Sequence, residues 1–174
     1  MKKILFPALF IFSTILIFSC KKSNSNSGYY ITCDINGRHK SFSDSTQMDY
    51  YQTAADLEIR AYGGLSTVSS PTLKISLYNR GVALTTRSYT DTAKDCRLTA
   101  IYFPVSVYSA AFEAGDDTPT GLFPGSKNLV ITITSISSSE IKGTFSGYLA
   151  RPNDTTEVAH VTNGKFNLKN NLHP

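Results

Sequence analysis

Apolar and polar residues alternate with a period of two from Tyr29 onwards. Tyr29, Ile31, Cys33 and Ile35 share one phase, and Tyr30, Thr32 and Asp34 share the other. The same rhythm returns at Leu57, Ile59 and Ala61, and at Leu73, Ile75 and Leu77. It runs longest at Ile141, Gly143, Phe145, Gly147 and Leu149. Such alternation marks strands with one face on a core and one in water. No window has a comparable run at helical spacing; Gln47 to Asp56 fits a helical turn or a hairpin arm equally well. Asn36-Gly37, Asn79-Arg80-Gly81 and Asn163-Gly164 supply the residue types that tight hairpins need. Short strands separated by such turns predict an all-β, antiparallel β-sandwich of about ten strands, with a lipocalin-like β-barrel as the alternative.

Several finer expectations follow from the same pattern. Pro104 divides the apolar stretch Leu98 to Phe112 into two strands. Residues 115–125, GDDTPTGLFPG, form the longest loop rich in breakers. Leu129, Ile131 and Ile133 share a phase that Ile136 leaves, so a bulge or bend is expected near Ser135, followed by a turn at Ser137 to Ser139. Gly143 and Gly147 stand in the core phase, where neighbouring aromatic rings would fill the space they leave.

The first residues read differently. Met1-Lys2-Lys3 precedes fifteen residues without charge, Ile4 to Phe18. A basic start and a short apolar run make a secretory signal, and the run is shorter than the roughly 20 residues a spanning helix needs. Pro7 inside it also opposes a permanent helix, and an uncleaved anchor is the alternative. The run ends Ile17-Phe18-Ser19-Cys20, which resembles a bacterial lipobox. The resemblance implies cleavage before Cys20 and lipid on Cys20, hence a partner in the membrane. Residues 20–28 are then the lipidated cysteine and a polar tether, residues 29–170 one all-β domain, and residues 171–174 a tail. Surface-exported relatives of such proteins often carry acidic residues after the cysteine. Lys21 and Lys22 stand here instead, which points to the outer membrane facing the periplasm, with surface display as the alternative.

Composition changes the picture in one respect. The whole chain of 174 residues has 17 basic and 13 acidic residues, a net charge of +4. Removing residues 1–19 takes away Lys2 and Lys3 and no acid, so the charge falls to +2. A nucleic-acid partner, which needs a clustered basic face, is not expected.

Candidate chemistry is sparse. Beyond Cys20 there are Cys33 and Cys96. In an exported protein they could form a disulfide closing a loop that stabilises by roughly 4 kcal/mol; the alternative is a buried free thiol at Cys33 and an unrelated Cys96. His39, His160 and His173 have no metal-ligand spacing, so no metal or cofactor is expected. Asp116 and Asp117 share a loop, but two adjacent acids fall short of a calcium site. Gly143 to Gly147 is one position off the nucleophile-elbow pattern and lies on a strand. No carboxylate pair is recognisable for glycoside hydrolysis. Asn153-Asp154-Thr155 reads as a turn. The tyrosines stand out: Tyr30, Tyr62, Tyr78 and Tyr148 all fall in the outward phase of their strands. Rings with a polar tip suit a sugar or protein contact, and outward tyrosines also simply suit strands.

The segments ITSISSSEIKGTFSGYL and VTNGKFNL, with ITCDINGRHKSFS near the start, resemble small Bacteroidota lipoproteins of unknown function. The likeness is best over residues 129–168. It implies a β-sandwich or lipocalin-like architecture and brings no catalytic residues. The expected function is a non-enzymatic, lipid-anchored envelope module that binds or scaffolds a glycan or protein, or alternatively a carrier of a small apolar ligand. Replacing Cys20 with serine is expected to abolish incorporation of radiolabelled palmitate in a bacterial host; unchanged labelling would refute lipidation there.

Overall fold

The computed structural model describes residues 28–42, 48–62, 71–105, 111–115, 128–151 and 154–170. Among these residues the only regular secondary structure is strand. The strands are β1 (Tyr30–Ile35), β2 (Arg38–Phe42), β3 (Met48–Gln52), β4 (Asp56–Tyr62), β5 (Thr72–Tyr78), β6 (Ser88–Thr90), β7 (Arg97–Phe103), β8 (Phe112–Gly115), β9 (Val130–Ile136), β10 (Glu140–Arg151) and β11 (Asp154–Lys169). The all-β antiparallel architecture expected from the alternation is present, with eleven strands against an expected ten or so.

Nine strands follow the path β2-β1-β11-β10-β8-β7-β5-β4-β3, and β9 and β6 branch from β10. One edge of β10 serves two neighbours. Its Ile141–Ser146 stretch pairs with β9, and Ala150 further along pairs with Glu113 of β8. The sheet curls so that its two ends share a core. Ile35 and Phe42 line a small cavity of about 10 Å³ together with Ala61, Leu73 and Tyr102 from the far end of the path. That volume is at the lower bound for a single water. The short link from Phe42 to Met48, spanning at most about 20 Å, ties the ends of the path together. The inward-phase residues of β1, β4, β5, β7, β9, β10 and β11 form one buried cluster, including Ile31, Ile59, Ile75, Leu98, Ile131 and Phe166. Burying each such side chain stabilises by about 1.5–3 kcal/mol.

The expected irregularities can be followed one by one. Asn36 and Gly37 have φ of 51° and 74° and close the β1–β2 hairpin. Of the stretch Gln47 to Asp56, Gln47 lies outside the described residues, and the rest holds a hairpin between β3 and β4. β7 ends at Phe103, just before Pro104, and β8 begins at Phe112. The phase slip in β9 is a bulge: Lys142 pairs with Ser135 but Gly143 pairs with Ile133, and Ile136 is exposed. The following turn is held by Ser137, whose Oγ accepts from the amides of Ser139 at 3.3 Å and Glu140 at 3.1 Å. Asp116, Asp117 and the rest of their loop lie outside the described residues, as do residues 1–27 with Cys20 and residues 171–174 with His173.

Two turn expectations are corrected. Asn79-Arg80-Gly81 does turn the chain, with φ of 48° at Arg80 and 79° at Gly81, but β5 and β6 do not pair across it. The buried Asn79 instead organises a loop by donating to the carbonyls of Val82 at 2.8 Å and Ala83 at 3.2 Å. Asn163-Gly164 is no hairpin turn. It lies inside β11, where Asn163 has φ 53°. There Phe145 pairs with Gly164 but Gly147 with Val161, and Thr32 pairs with Lys165 but Asp34 with Thr162. β11 therefore carries one extra residue relative to both neighbours, a β-bulge. A left-handed asparagine serves a bulge as readily as a turn, and pairing on both sides keeps the strand running.

Glycine and phenylalanine alternate across β10 and β11. Gly143 faces Phe166, and Phe145 faces Gly164. A Cβ at Gly143 would collide with the Phe166 ring and the Thr132 carbonyl, and one at Gly164 with the Phe145 ring and carbonyl. Gly147 differs: it packs against Leu129, an aliphatic neighbour in place of the expected ring. Overpacking at such sites costs about 1–3 kcal/mol. Gly143→Ala and Gly164→Ala are each expected to lower the urea midpoint accordingly; wild-type midpoints would show that the rings have room to move.

Candidate functional site

The four outward-phase tyrosines do not gather. Tyr30, Tyr78 and Tyr148 are exposed, but Tyr62 is only 8% exposed. It pairs with Thr72, itself buried, so the outer side of the sheet is covered at that end of β4 and β5. Tyr62 therefore leaves the candidate surface. Tyr30 pairs with Asn167 and Tyr148 with His160, at well-separated levels of β11. The Tyr148 ring stacks on His160, with centroids 4.0 Å apart and planes 7° from parallel. Tyr78 stands on β5, away from both.

Tyr78 has a companion that the sequence pattern did not single out. Tyr51 on β3 is 61% exposed and Tyr78 is 44% exposed. The two flank a groove of about 200 Å³ on the outer face of β3, β4, β5 and β7. Tyr51 pairs with Glu58, and Tyr78 with Asp56 two residues earlier on β4. Two strand spacings and one two-residue step place their Cα atoms on the order of 12 Å apart. The floor is a cross-strand row that starts beside Tyr51 at Glu58 and runs through Ser76 to Thr99 on β7, with Arg97 opposite Tyr78. Alternation aims these side chains outward while Leu57, Ile59, Ile75, Leu77 and Leu98 fill the core below.

Glu58 is the electrostatic centre of this face. Its carboxylate bonds Arg60 at 2.6 Å and Lys74 at 2.9 Å and accepts from the Ser76 hydroxyl at 3.2 Å. Burial pushes its pKa up, but the Lys74 and Arg60 hydrogen bonds outweigh it and hold the group below the usual carboxylate range. Asp56 also lines the groove. It belongs to the β3–β4 turn: the Thr53 hydroxyl donates to its Oδ2 at 2.9 Å and accepts from the amides of Ala55 and Asp56. Glu113, whose pKa burial raises, lies three strands from Glu58, about 14 Å or more across the sheet.

The remaining candidates are dispersed. Cys33 and Cys96 are free and buried. Burial, and after it the nearby Cys33 thiol, raise the Tyr102 phenol, which places Cys33 by one end of β7. Cys96 lies before the other end, its thiol donating to the Thr90 carbonyl at 3.6 Å. Six residues of strand span about 20 Å, beyond the ~7 Å that a disulfide tolerates. The possible bridge between Cys33 and Cys96 is absent, and the structure has the alternative, two buried free thiols. His39 is exposed on β2, with Nδ1 2.9 Å from Asp34 Oδ1. Among the described residues no group of three His, Cys, Asp or Glu side chains converges as a metal site. No helix there is long and apolar enough to cross a membrane.

No family model, curated protein or solved structure matches the chain. The resemblance to small Bacteroidota lipoproteins rests on the quoted segments alone.

Burial, aided by the Asp34 charge and opposed by Lys40, pushes the Cys33 thiol from 9.0 up to about 12. A folded pKa above the unfolded one adds stability that is complete below about pH 9 and lost as pH rises towards 12. Urea unfolding of wild type is expected to weaken with pH over that window more steeply than that of Cys33→Ala. Equal slopes would show that the thiol does not report on folding.

Proposed function

We propose that this protein is a non-enzymatic binding module of the cell envelope, lipid-anchored through Cys20, that takes a glycan in the groove between Tyr51 and Tyr78. The observation that carries the reading is the pair of exposed rings bracketing a polar floor. Sugars offer apolar C–H faces for ring contact and hydroxyls for hydrogen bonding, and this groove offers both kinds of partner. The Cα spacing on the order of 12 Å leaves room for a short run of linked sugars along the groove. Ser76 lies beside Tyr78 on β5, and Thr99 and Arg97 continue the groove onto β7, where they can meet hydroxyl groups.

Hydrolysis is the second reading, favoured by Asp56 and Glu58 lining one groove. Two residues apart on one strand face, they are about 7 Å apart, in the range for an inverting pair. A general acid must hold its proton near neutral pH, however, and Glu58 is kept ionised by two cations. Asp56 is engaged in its turn. The groove thus favours binding over bond cleavage.

Tyr51→Ala and Tyr78→Ala are each expected to weaken retention on an envelope-glycan array about tenfold, the size of a lost aromatic contact. Thermal midpoints should stay near wild type, since both side chains are exposed. Undiminished retention in the double variant would remove the groove from the binding surface. Turnover of aryl glycosides lost in Glu58→Gln would establish the hydrolytic reading instead.

A further inference from the structure

We propose that a second groove, on the other half of the outer face, binds uronic-acid sugars of an acidic polysaccharide, with Lys165 contacting the carboxylate. This site is independent of the Tyr51–Tyr78 groove. It has a volume of about 290 Å³ and lies over β9, β10 and β11, lined by Thr132, Thr144, Ser146, Asn163 and Lys165.

Strand register builds the site. Thr132 pairs with Thr144, Thr144 with Lys165, Lys165 with Thr32, and Thr32 with Ser41. This is one row across five strands, with a single ammonium set among hydroxyls. The Ser88 hydroxyl lies 2.8 Å from that of Thr132 and extends the row by one strand. Tyr30 stands on β1 two residues before Thr32, a diagonal neighbour of Lys165 within reach of an aromatic side chain. The row therefore has hydroxyls, a cation and a ring at its border.

The charge selects the ligand class. Arg60, Lys74, Arg87, Lys142 and Arg151 each have a carboxylate within ion-pairing distance. Lys165 is exposed and, like Lys40, Lys94 and Lys169, has none among the described residues; of these it is the one that lines the groove. The acid one step away in register, Asp34, is occupied by His39 Nδ1 at 2.9 Å and Asn163 Nδ2 at 2.8 Å. The β11 bulge sets this arrangement, since Asn163 at φ 53° reaches Asp34 from its extra position. An uncompensated cation among neutral hydroxyls complements a ligand with one anionic group and many hydroxyls. A neutral sugar leaves Lys165 without its counter-charge, and inorganic phosphate offers too little to span the row.

The test is titration of the full chain with trigalacturonate, galactotriose and inorganic phosphate, followed by amide chemical shifts. Trigalacturonate is expected to shift the amides of Thr132, Thr144 and Lys165 and to bind more weakly as salt rises. Lys165→Gln should lower its affinity about tenfold, as for a lost charge-assisted hydrogen bond. That variant should keep the wild-type spectrum away from the groove. Shifts at Thr132, Thr144 and Lys165, followed apart from any at Glu58, Ser76 and Thr99, separate this site from the other groove. The proposal is overturned if trigalacturonate leaves those amides unmoved. It is also overturned if galactotriose or phosphate moves those same amides with equal affinity, or if Lys165→Gln leaves the affinity read at Thr132 and Thr144 as in wild type.

Discussion

The rest of the molecule depends on how closely β10 and β11 approach each other. Gly143 admits the Phe166 ring and Gly164 admits the Phe145 ring, so each strand supplies both a gap and the group that fills it. A β-ribbon slipped by two residues would keep its apolar face but would bring ring against ring and gap against gap. Alternation sets which face is inward, and reciprocal packing selects one register within that face. With this register set, the Asn163 bulge, the branch to β9 and the pairing with β1 all take their positions.

The outer face is a consequence of that inner order. Each inward residue on β4, β5 and β7 sends its neighbours outward, and cross-strand register lines those neighbours into rows. One row places Glu58 beside Ser76 and Thr99 beneath two tyrosines. The groove on the other half of the sheet carries hydroxyls, an amide and one ammonium. The two halves differ in charge handling: cations around Glu58 are neutralised in place, whereas Lys165 is not. Rigid strands hold both sets of side chains, with no loop needed to assemble either.

Period-two alternation made the strand content legible, and the phase break at Ile136 revealed a bulge before any coordinates. Asn36-Gly37 was readable because both residues take the left-handed backbone that a two-residue hairpin requires. Asn163-Gly164 has the same letters and a different outcome, because the continuing strand on both sides decides between turn and bulge. Tyr51 escaped notice because Gln47 to Asp56 is too short and too mixed to declare its phase; the Tyr50-Tyr51 doublet gives no sign of which ring points out. Tyr62 lies in the outward phase yet is buried, since phase describes one strand and covering belongs to its surroundings. Which charges meet across strands depends on strand order, which local alternation does not encode.

β11 lies between β1 and β10 although it comes last among the eleven strands. Joining the β1–β2 hairpin to the rest of the sheet must therefore wait for β11. A polypeptide delivered through a narrow channel from its N-terminus would stay open until residues near 169 emerge, with β1 holding only its hairpin partner β2. The step joining β1 to β11 closes a loop of well over a hundred residues. Such long-range pairing is slow to form. Arrangement in space thus makes assembly of this domain a terminal event, timed by the arrival of its last strand.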